Sequence, residues 1–378
     1  MPSPPSLSAL KAAFGDTLHE VLKEAVSHSS ESNKAAILEI ALACPHLLDA
    51  ARTPRSASYN ATQTLLAGIY KLVCVIAAQD NIDVEDENGV DVRVILVAWS
   101  PDTHPSLPRS PYGPIVTLET LARSARAWQY AFGVESEAGE AMVQAFVTAK
   151  GSGEQVSNVQ ANQFADVVGS EHAEHPFGQP HHHVAVGGTF DHLHIGHKLL
   201  LAMTVFAVDD EANTNNHSER SATIGITGDQ LLKSKKHAEL LQSWNRRQKA
   251  VQDFVDSTVN FTAGPPSVTT RNDAGPNGKS VDFRYPNGLN IQCTEIQDPF
   301  GPTITEQRIT ALIISGETRS GGKAVNDKRE EKGWDALQVF EVDVLDAEEG
   351  GEVGEGFQNK LSSSAIREKL AAIATSRM

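Results

Sequence analysis

Short apolar runs recur in the second half of the chain, with segments of helical periodicity between them. Five runs are predicted to be strands, at residues 184–186, 223–227, 289–296, 311–315 and 337–345. Apolar strands that alternate with amphipathic helices are typical of a parallel sheet covered by helices on both faces. We therefore predict an α/β fold with a Rossmann-like, doubly wound parallel sheet, whose ligands bind at the carboxyl ends of the strands.

The first half of the chain has a different pattern. Residues 1–150 mix helical periodicity with one strong strand, DVRVILVAW at 91–99, and predict a smaller α/β amino-terminal domain whose role the sequence does not indicate. The apolar run 65–78 contains Lys71 and is too short to cross a bilayer, so we predict a buried helix and no membrane span.

A polar stretch separates the two halves. Residues 151–182 are rich in Gly, Ser, Asn, Gln and Glu, which is the composition of a flexible linker, and the second domain is predicted over 183–378. His181, His182 and His183 are interpreted as part of this linker. Three further polar stretches, 209–221, 263–288 and the acidic 346–356, are predicted to be surface insertions.

Charge and cysteine content narrow the class of protein. The formal net charge of -16 repels nucleic-acid backbones, which argues against a nucleic-acid partner. Three scattered cysteines do not make a disulfide framework or a cysteine-rich zinc site. The first residues, MPSPPSLSALKAAFG, match neither a signal peptide nor a transit or myristoylation pattern, so we expect a cytoplasmic protein.

The segment VAVGGTFDHLHIGHK, at 184–198, runs from a strand through a glycine turn into a helix. Gly187 and Gly188 allow the backbone to approach a ligand, and the free N–H groups of a helix that begins near Ile195 suit a phosphate. His194 and His197 are three residues apart, so they share one face at the positive end of this helix. A surface pair or two zinc ligands are the alternatives, but neither an H-E-x-x-H pattern nor a nearby cysteine supports zinc.

Two further segments carry groups that could bind phosphate. Lysines at 233, 235 and 236 follow a predicted strand, and any one of them could equally be part of a solvated basic turn. The segment KLSSSAIR, at 360–367, places three serines where a helix should begin, and plain helix capping would use only one of them.

The sequence GGTFDHLHIGH resembles the T/HxGH signature of the nucleotidyltransferase superfamily. The resemblance continues through TGDQLLKSKKHAELLQSWNRR, DPFGP, ISGETRSGGKAVNDKREEKG and KLSSSAIREKL, in the order found in phosphopantetheine adenylyltransferases of the eukaryotic and archaeal type. It covers about residues 184–370. The 378 residues contain no G-x-x-x-x-G-K-[ST] loop, the phosphate-binding motif of the kinase. In this respect the sequence resembles a monofunctional relative of bifunctional CoA synthases.

The resemblance implies transfer of the adenylyl group of ATP to 4'-phosphopantetheine, the reaction of a pantetheine-phosphate adenylyltransferase in coenzyme A biosynthesis. It implies catalytic roles for His194, His197 and Lys235. It implies contacts to ATP or the substrate for Gly187, Gly188, Thr189, Phe190, Lys233, Ser315, Gly316, Glu317, Arg319, Ser362, Ser363, Ser364 and Arg367. Bacterial members carry arginines where Ser315, Gly316, Glu317 and Thr318 stand here, and Arg319 is the nearest cation. Asp298 lies in a region that lines the pantetheine arm in the family.

The cofactor and partners follow from the same resemblance. Mg²⁺ is expected with ATP, and no residue is assigned to a protein-held metal. Other enzymes of coenzyme A biosynthesis, such as a separate dephospho-CoA kinase, are further candidate partners. Two alternatives remain open at this point. One is another nucleotidyltransferase, such as a cytidylyltransferase or a nicotinamide mononucleotide adenylyltransferase, and the other is a non-catalytic scaffold of the same fold.

Overall fold

The computed structural model describes residues 6–32, 35–84, 89–103, 105, 107, 110–151, 157–159, 178–210, 219–343 and 362–376. These residues form two compact units. One holds the described residues up to Gly178 together with Ser257–Pro265, and the other holds the remaining described residues. The predicted domain boundaries at 150 and 183 stay predictions. Most of the predicted linker, the acidic stretch 346–356 and most of 209–221 lie outside the described residues.

The first unit is built from nine helices and strands among its described residues. In chain order they are α1 (Leu7–Ser32), β1 (Ala36–Ala43), α2 (Arg55–Gln79), β2 (Val90–Ala98), β3 (Ile115–Thr117), α3 (Leu118–Ala122), β4 (Phe132–Val134), α4 (Glu137–Lys150) and β5 (Ser157–Val159). The strands β1, β2 and β3 form a parallel sheet in that order, and β4 pairs with β5. The predicted strand at 91–99 is therefore confirmed as β2.

The helix α2 is the core helix of this unit. By length and composition it could cross a membrane, but 72% of its apolar window is buried inside the structure. Its buried side chains include Leu66, Tyr70, Leu72 and Val73, all at most 2% exposed. Burial on this scale is typical of a helix that packs against its own sheet, so the predicted buried helix at 65–78 is confirmed.

The second unit contains the predicted alternation of strands and helices. Its elements are β6 (His183–Gly188), α5 (Ile195–Phe206), β7 (Arg220–Thr227), α6 (Trp244–Val259), β8 (Ser267–Asn272), β9 (Lys279–Arg284), β10 (Leu289–Ile296), β11 (Ala311–Ser315), α7 (Arg319–Glu331), β12 (Gln338–Val342) and α8 (Ser363–Ser376). Residues 257–259 of α6 belong to the first unit.

These strands form one sheet in the order β12-β11-β6-β7-β10-β9-β8, and the first five are parallel. All five predicted strands are confirmed, the last of them over Gln338–Val342, and so is the Rossmann-like α/β class. The chain runs from β6 outward to β10 and then returns to β11 on the other side of β6. The strand order therefore reverses between β6 and β11, and α/β sheets bind ligands at the carboxyl ends of the strands beside such a reversal.

The polar stretch 263–288 is not a plain surface insertion, because it adds the antiparallel hairpin β8–β9 to the edge of the sheet. Every residue of β8 is exposed. A strand that is solvated on both faces needs no apolar residues, so its sequence, SVTTRN, lacks the alternation by which strands are recognised.

The histidines before β6 are not linker residues. His181 is only 4% exposed, and its ring nitrogens lie 3.0 Å from Thr310 Oγ1 and 2.9 Å from Gln338 Oε1. His183 begins β6, and its Nδ1 lies 2.9 Å from Ser221 Oγ of β7. These side chains therefore belong to the amino-terminal end of the sheet, opposite the end where ligands are expected.

Candidate active site

The glycine turn leaves β6 at the carboxyl end of the sheet. A Cβ on Gly188 would stand 2.9 Å from the ring of Phe190, so a larger residue there would displace that ring, whereas the space beside Gly187 is open. Phe190 and His192 both adopt left-handed backbone conformations, with φ of 52° and 46°. Such angles are strained for residues with a side chain and occur most often at functional sites.

His194 and His197 meet at the start of α5. His194 is the N-cap residue, and the two imidazole rings stack with their centroids 3.8 Å apart. The ring of Phe190 tilts against His197 at 5.3 Å. Among the described residues, the Nδ1 atoms of both histidines are buried and have no hydrogen-bond partner. Buried polar atoms without partners are rare in proteins, so these two are candidates to bind a ligand.

Burial also keeps both imidazoles neutral. It lowers the pKa of His194 to about 4, and the charges of Lys198 and His192 act in the same direction. The pKa of His197 falls well below its usual value, first through burial and then through His194. Loss of solvation disfavours the charged form of a histidine, so at neutral pH each ring carries one N–H donor and no charge.

Asp191 lies in the middle of this loop and is completely buried. Its Oδ1 accepts from the backbone N–H of Gln242 at 2.9 Å, and its Oδ2 accepts from Nη1 of Arg367 at 2.6 Å. The side chain of Gln242 accepts from the N–H of His192 at 3.1 Å. The strained loop is thus held by contacts on both sides.

The three predicted serines lie at the start of α8, and each has a different contact. Ser362 Oγ accepts from the N–H of Ala365 and so caps the helix. Ser363 Oγ donates to the carbonyl of Asp191 at 2.7 Å, and Ser364 Oγ accepts from Arg367 at 3.2 Å. Free N–H groups at a helix start bind anions, and α8 begins beside the histidine loop.

All three guanidinium nitrogens of Arg367 donate hydrogen bonds to protein groups. Besides Asp191 and Ser364, it donates from Nε to the carbonyl of Lys236 at 3.2 Å. It is only 2% exposed. The predicted contact between Arg367 and the triphosphate remains a prediction, and the structure gives this arginine a second task, which is to join α8 to the loop of Asp191.

The predicted lysines follow β7 and differ in their contacts. Lys233 and Lys235 are exposed, and the described residues offer neither of them a partner. Lys236 donates from Nζ to Glu368 of α8 at 2.6 Å. The ammonium groups of Lys233 and Lys235 are therefore available to bind an anion.

The remaining predicted residues have other contacts. Asp298 Oδ1 accepts from the N–H groups of Phe300 and Gly301 at 2.7 and 2.8 Å, which is the contact of a turn-forming aspartate. Ser315, Gly316 and Glu317 follow β11, where the hydroxyl of Thr318 accepts from the N–H of Ser315 and closes a short 3₁₀ turn.

Arg319 is held by an acidic neighbour. It is exposed and forms a two-bond ion pair with Glu341 of β12, which also raises the pKa of the guanidinium. Its predicted role at a phosphate, like those of the other site residues, stays a prediction. An anion could reach this arginine only in competition with the carboxylate that it already binds.

Arg247 lies on α6, is fully buried and was not among the residues expected at the site. Its guanidinium donates to the carbonyls of Thr189 and Thr227 at 2.6 and 2.8 Å, and to Asp229 at 2.7 Å. A signal was present in the sequence, since Trp244, Arg247, Val251 and Val255 share the helical spacing of the buried face. An arginine within such an apolar stripe indicates a buried partner.

Comparison with known proteins adds to this geometry. Residues 1–170 match a family described as a domain of unknown function (DUF8446). The chain is 33% identical over 190 residues to an uncharacterized protein of Schizosaccharomyces pombe, covering 50% of this chain and 48% of that protein.

Two further relatives are both phosphopantetheine adenylyltransferases by name. The phosphopantetheine adenylyltransferase of Saccharomyces cerevisiae is 32% identical over 194 residues, covering 51% of this chain and 50% of that protein. The phosphopantetheine adenylyltransferase of Pyrococcus abyssi is 29% identical over 184 residues, covering 49% and 87%. The chain therefore spans about half the length of the two fungal relatives.

The buried ion pair between Asp191 and Arg367 predicts the behaviour of α8. Asp191→Asn or Arg367→Met alone leaves one buried group without its partner. Each substitution should lower the free energy of unfolding by about 3 kcal/mol. We expect faster amide hydrogen exchange along α8 in each variant. In the double variant the loss of α8 stability should be smaller than the sum of the losses in the two single variants, because the two residues are in contact.

The exposed pair between Lys236 and Glu368 is the matched control, since exposed pairs contribute about 1 kcal/mol or less. Glu368→Gln should leave the exchange of α8 nearly unchanged. If the effects of the Asp191 and Arg367 substitutions on the exchange of α8 were strictly additive, the ion pair would not hold the helix.

The lowered pKa of His194 predicts a pH dependence of stability. The pKa is about 4 in the folded chain and has its ordinary value of 6.5 in the unfolded chain, so the unfolded chain binds more protons between these two values. Stability should therefore fall as the pH falls from 6.5 to 4, by about 3 kcal/mol from this residue. Urea titrations at several pH values should show a shallower dependence for His194→Gln, and parallel curves would contradict the assigned pKa.

Proposed function

We propose that this protein transfers the adenylyl group of ATP to 4'-phosphopantetheine, giving dephospho-CoA and pyrophosphate. The observation that carries the proposal is the stacked pair of His194 and His197, with unpartnered ring nitrogens, beside a glycine turn and the start of α8. The relatives named phosphopantetheine adenylyltransferase support the choice of substrates.

The chemistry fits groups of this kind. The attacking phosphate is already an anion, so the reaction needs no general base, and catalysis depends on positioning and on stabilising charge at the α-phosphate and the leaving group. Neutral imidazoles can donate hydrogen bonds to phosphoryl oxygens. A bound triphosphate also raises the pKa of a nearby histidine, because an opposite charge favours the protonated form.

The proposed roles follow the positions of the residues. Thr189 contacts the attacking phosphate, His194 and His197 contact the phosphates of ATP, and Lys235 bridges the charge between the two substrates, with Lys233 beside it. The first N–H groups of α8 receive the triphosphate. Mg²⁺ enters with ATP as part of the substrate. Within the described part of the chain, no group of three or more metal-binding side chains occurs.

The cellular setting is part of the proposal. We expect the reaction in the cytosol, within coenzyme A biosynthesis, and we expect a kinase to phosphorylate the dephospho-CoA that it forms. No residue of the first unit is assigned a role in this transfer.

Turnover tests the choice of substrate directly. Purified full-length protein with ATP, Mg²⁺ and 4'-phosphopantetheine should release pyrophosphate and form dephospho-CoA, measured by a coupled pyrophosphate assay and by mass spectrometry. CTP should replace ATP poorly. Turnover of nicotinamide mononucleotide or phosphocholine in place of 4'-phosphopantetheine would assign a different nucleotidyltransferase activity, and no turnover with any of them would favour a scaffold.

His197→Ala should lower kcat by roughly 10²–10³, the usual loss when one electrostatic donor to the transition state is removed. The variant should still fold, because His197 lies in the first turn of α5 and is partly exposed as a whole residue. His183→Ala is the matched control, since His183 begins β6 at the end of the strand away from the glycine turn. Unchanged kcat with a lower melting temperature in His197→Ala would make His197 a structural residue.

A further inference from the structure

Two arginines of the second unit are buried to nearly the same degree, Arg247 at 0% exposure and Arg329 at 2%. Each donates mainly to backbone carbonyls. Arg329 donates to Thr303, Asp335 and Ile309 at 2.7, 2.8 and 3.1 Å, so it holds the segments that flank α7. The two arginines differ in what they hold, which makes them a matched pair for separating structural from functional effects.

Arg247 joins the ends of two neighbouring strands. Nη1 donates to the carbonyl of Thr189, just after β6, and Nη2 donates to the carbonyl of Thr227, at the end of β7. Nε donates to the carbonyl of Gln242 at 2.9 Å. Asp229 balances the charge at 2.7 Å. The carboxyl ends of β6 and β7 are thereby fixed relative to each other.

The bond to Thr189 also sets the next residue. A trans peptide is planar, so a carbonyl that points toward Arg247 directs the N–H of Phe190 the opposite way. Phe190 follows in a left-handed conformation, which a side chain adopts only when its surroundings impose it. Its ring then packs over Gly188 and against His197. The contacts therefore run without a gap from Arg247 to the imidazole of His197.

We propose that Arg247 is a positioning residue of the transfer site. It touches no substrate, and it acts by holding the Thr189 peptide so that Phe190 covers His197. This inference rests on the proposed function for its effect on turnover. Its structural part does not depend on any substrate.

The test compares Arg247→Lys with Arg329→Lys in the full-length protein. A lysine keeps the charge but reaches only part of the acceptor set of an arginine. Both variants should lose thermal stability to a similar extent. Arg247→Lys should also lower kcat by about 10- to 100-fold, because small displacements of catalytic groups have effects of this size, with a smaller change in the KM for ATP. Arg329→Lys should keep kcat near that of the wild type.

A second readout needs no turnover. The ring protons of His197, assigned by comparison with His197→Gln, can be titrated by NMR without substrate. If Phe190 loses its position, water reaches His197 and its pKa rises toward the usual value. We expect this rise in Arg247→Lys and not in Arg329→Lys. If the wild type proves inactive with 4'-phosphopantetheine, this titration still decides whether Arg247 positions His197.

The outcomes are distinct. A folded Arg247→Lys variant with wild-type kcat and an unchanged His197 titration overturns the proposal, and so does an equal loss of kcat in Arg329→Lys. If Arg247→Lys does not fold, Asp229→Asn weakens the charge pair while keeping the arginine. That variant should show a smaller loss of kcat in the same direction, and an unchanged kcat there counts against the inference.

Discussion

The candidate site depends on the contacts of one buried group, the carboxylate of Asp191. It binds the backbone of Gln242 and the guanidinium of Arg367, which is 176 residues away in the chain. A buried charge without a partner is strongly destabilising, so each of these contacts requires the others. The start of α8, with its serines, is therefore held beside the histidine loop by this buried ion pair and by the bond from Ser363 to the carbonyl of Asp191. The apolar contribution of α8 is small by comparison, with Ile366 as its buried apolar residue among the described side chains.

A second feature of the site is local positive character in an acidic protein. The net charge is -16, yet the loop after β7 exposes Lys233 and Lys235, and Arg367 of α8 donates to the carbonyl of Lys236 in the same loop. The histidines add hydrogen-bond donors without adding charge. A neutral donor is less costly to bury than a charged one, and it can take up a proton when an anion arrives.

The sequence predicted the parallel strands well because their apolar runs are a direct consequence of burial on both faces. The strand β8 was missed for the opposite reason, since a fully exposed strand has no such pattern. The candidate site was predicted by residue type, but its internal contacts were not. Whether Arg367 binds a phosphate or a carboxylate depends on where Asp191 lies, and the burial of Arg247 depends on how α6 packs. Neither fact can be read from the spacing of the residues alone.

The strain in the loop gives a physical reason for these buried arginines. A left-handed backbone at Phe190 costs on the order of 1–3 kcal/mol, and His192 adds a similar amount. Glycine at Phe190 would remove that strain, but it would also remove the ring that covers His197. The ring can stand there only if the backbone is held against its own preference, and Arg247 and Asp191 supply the contacts that hold it. The same contacts therefore keep Phe190 in its strained conformation and fix the position of the His197 imidazole.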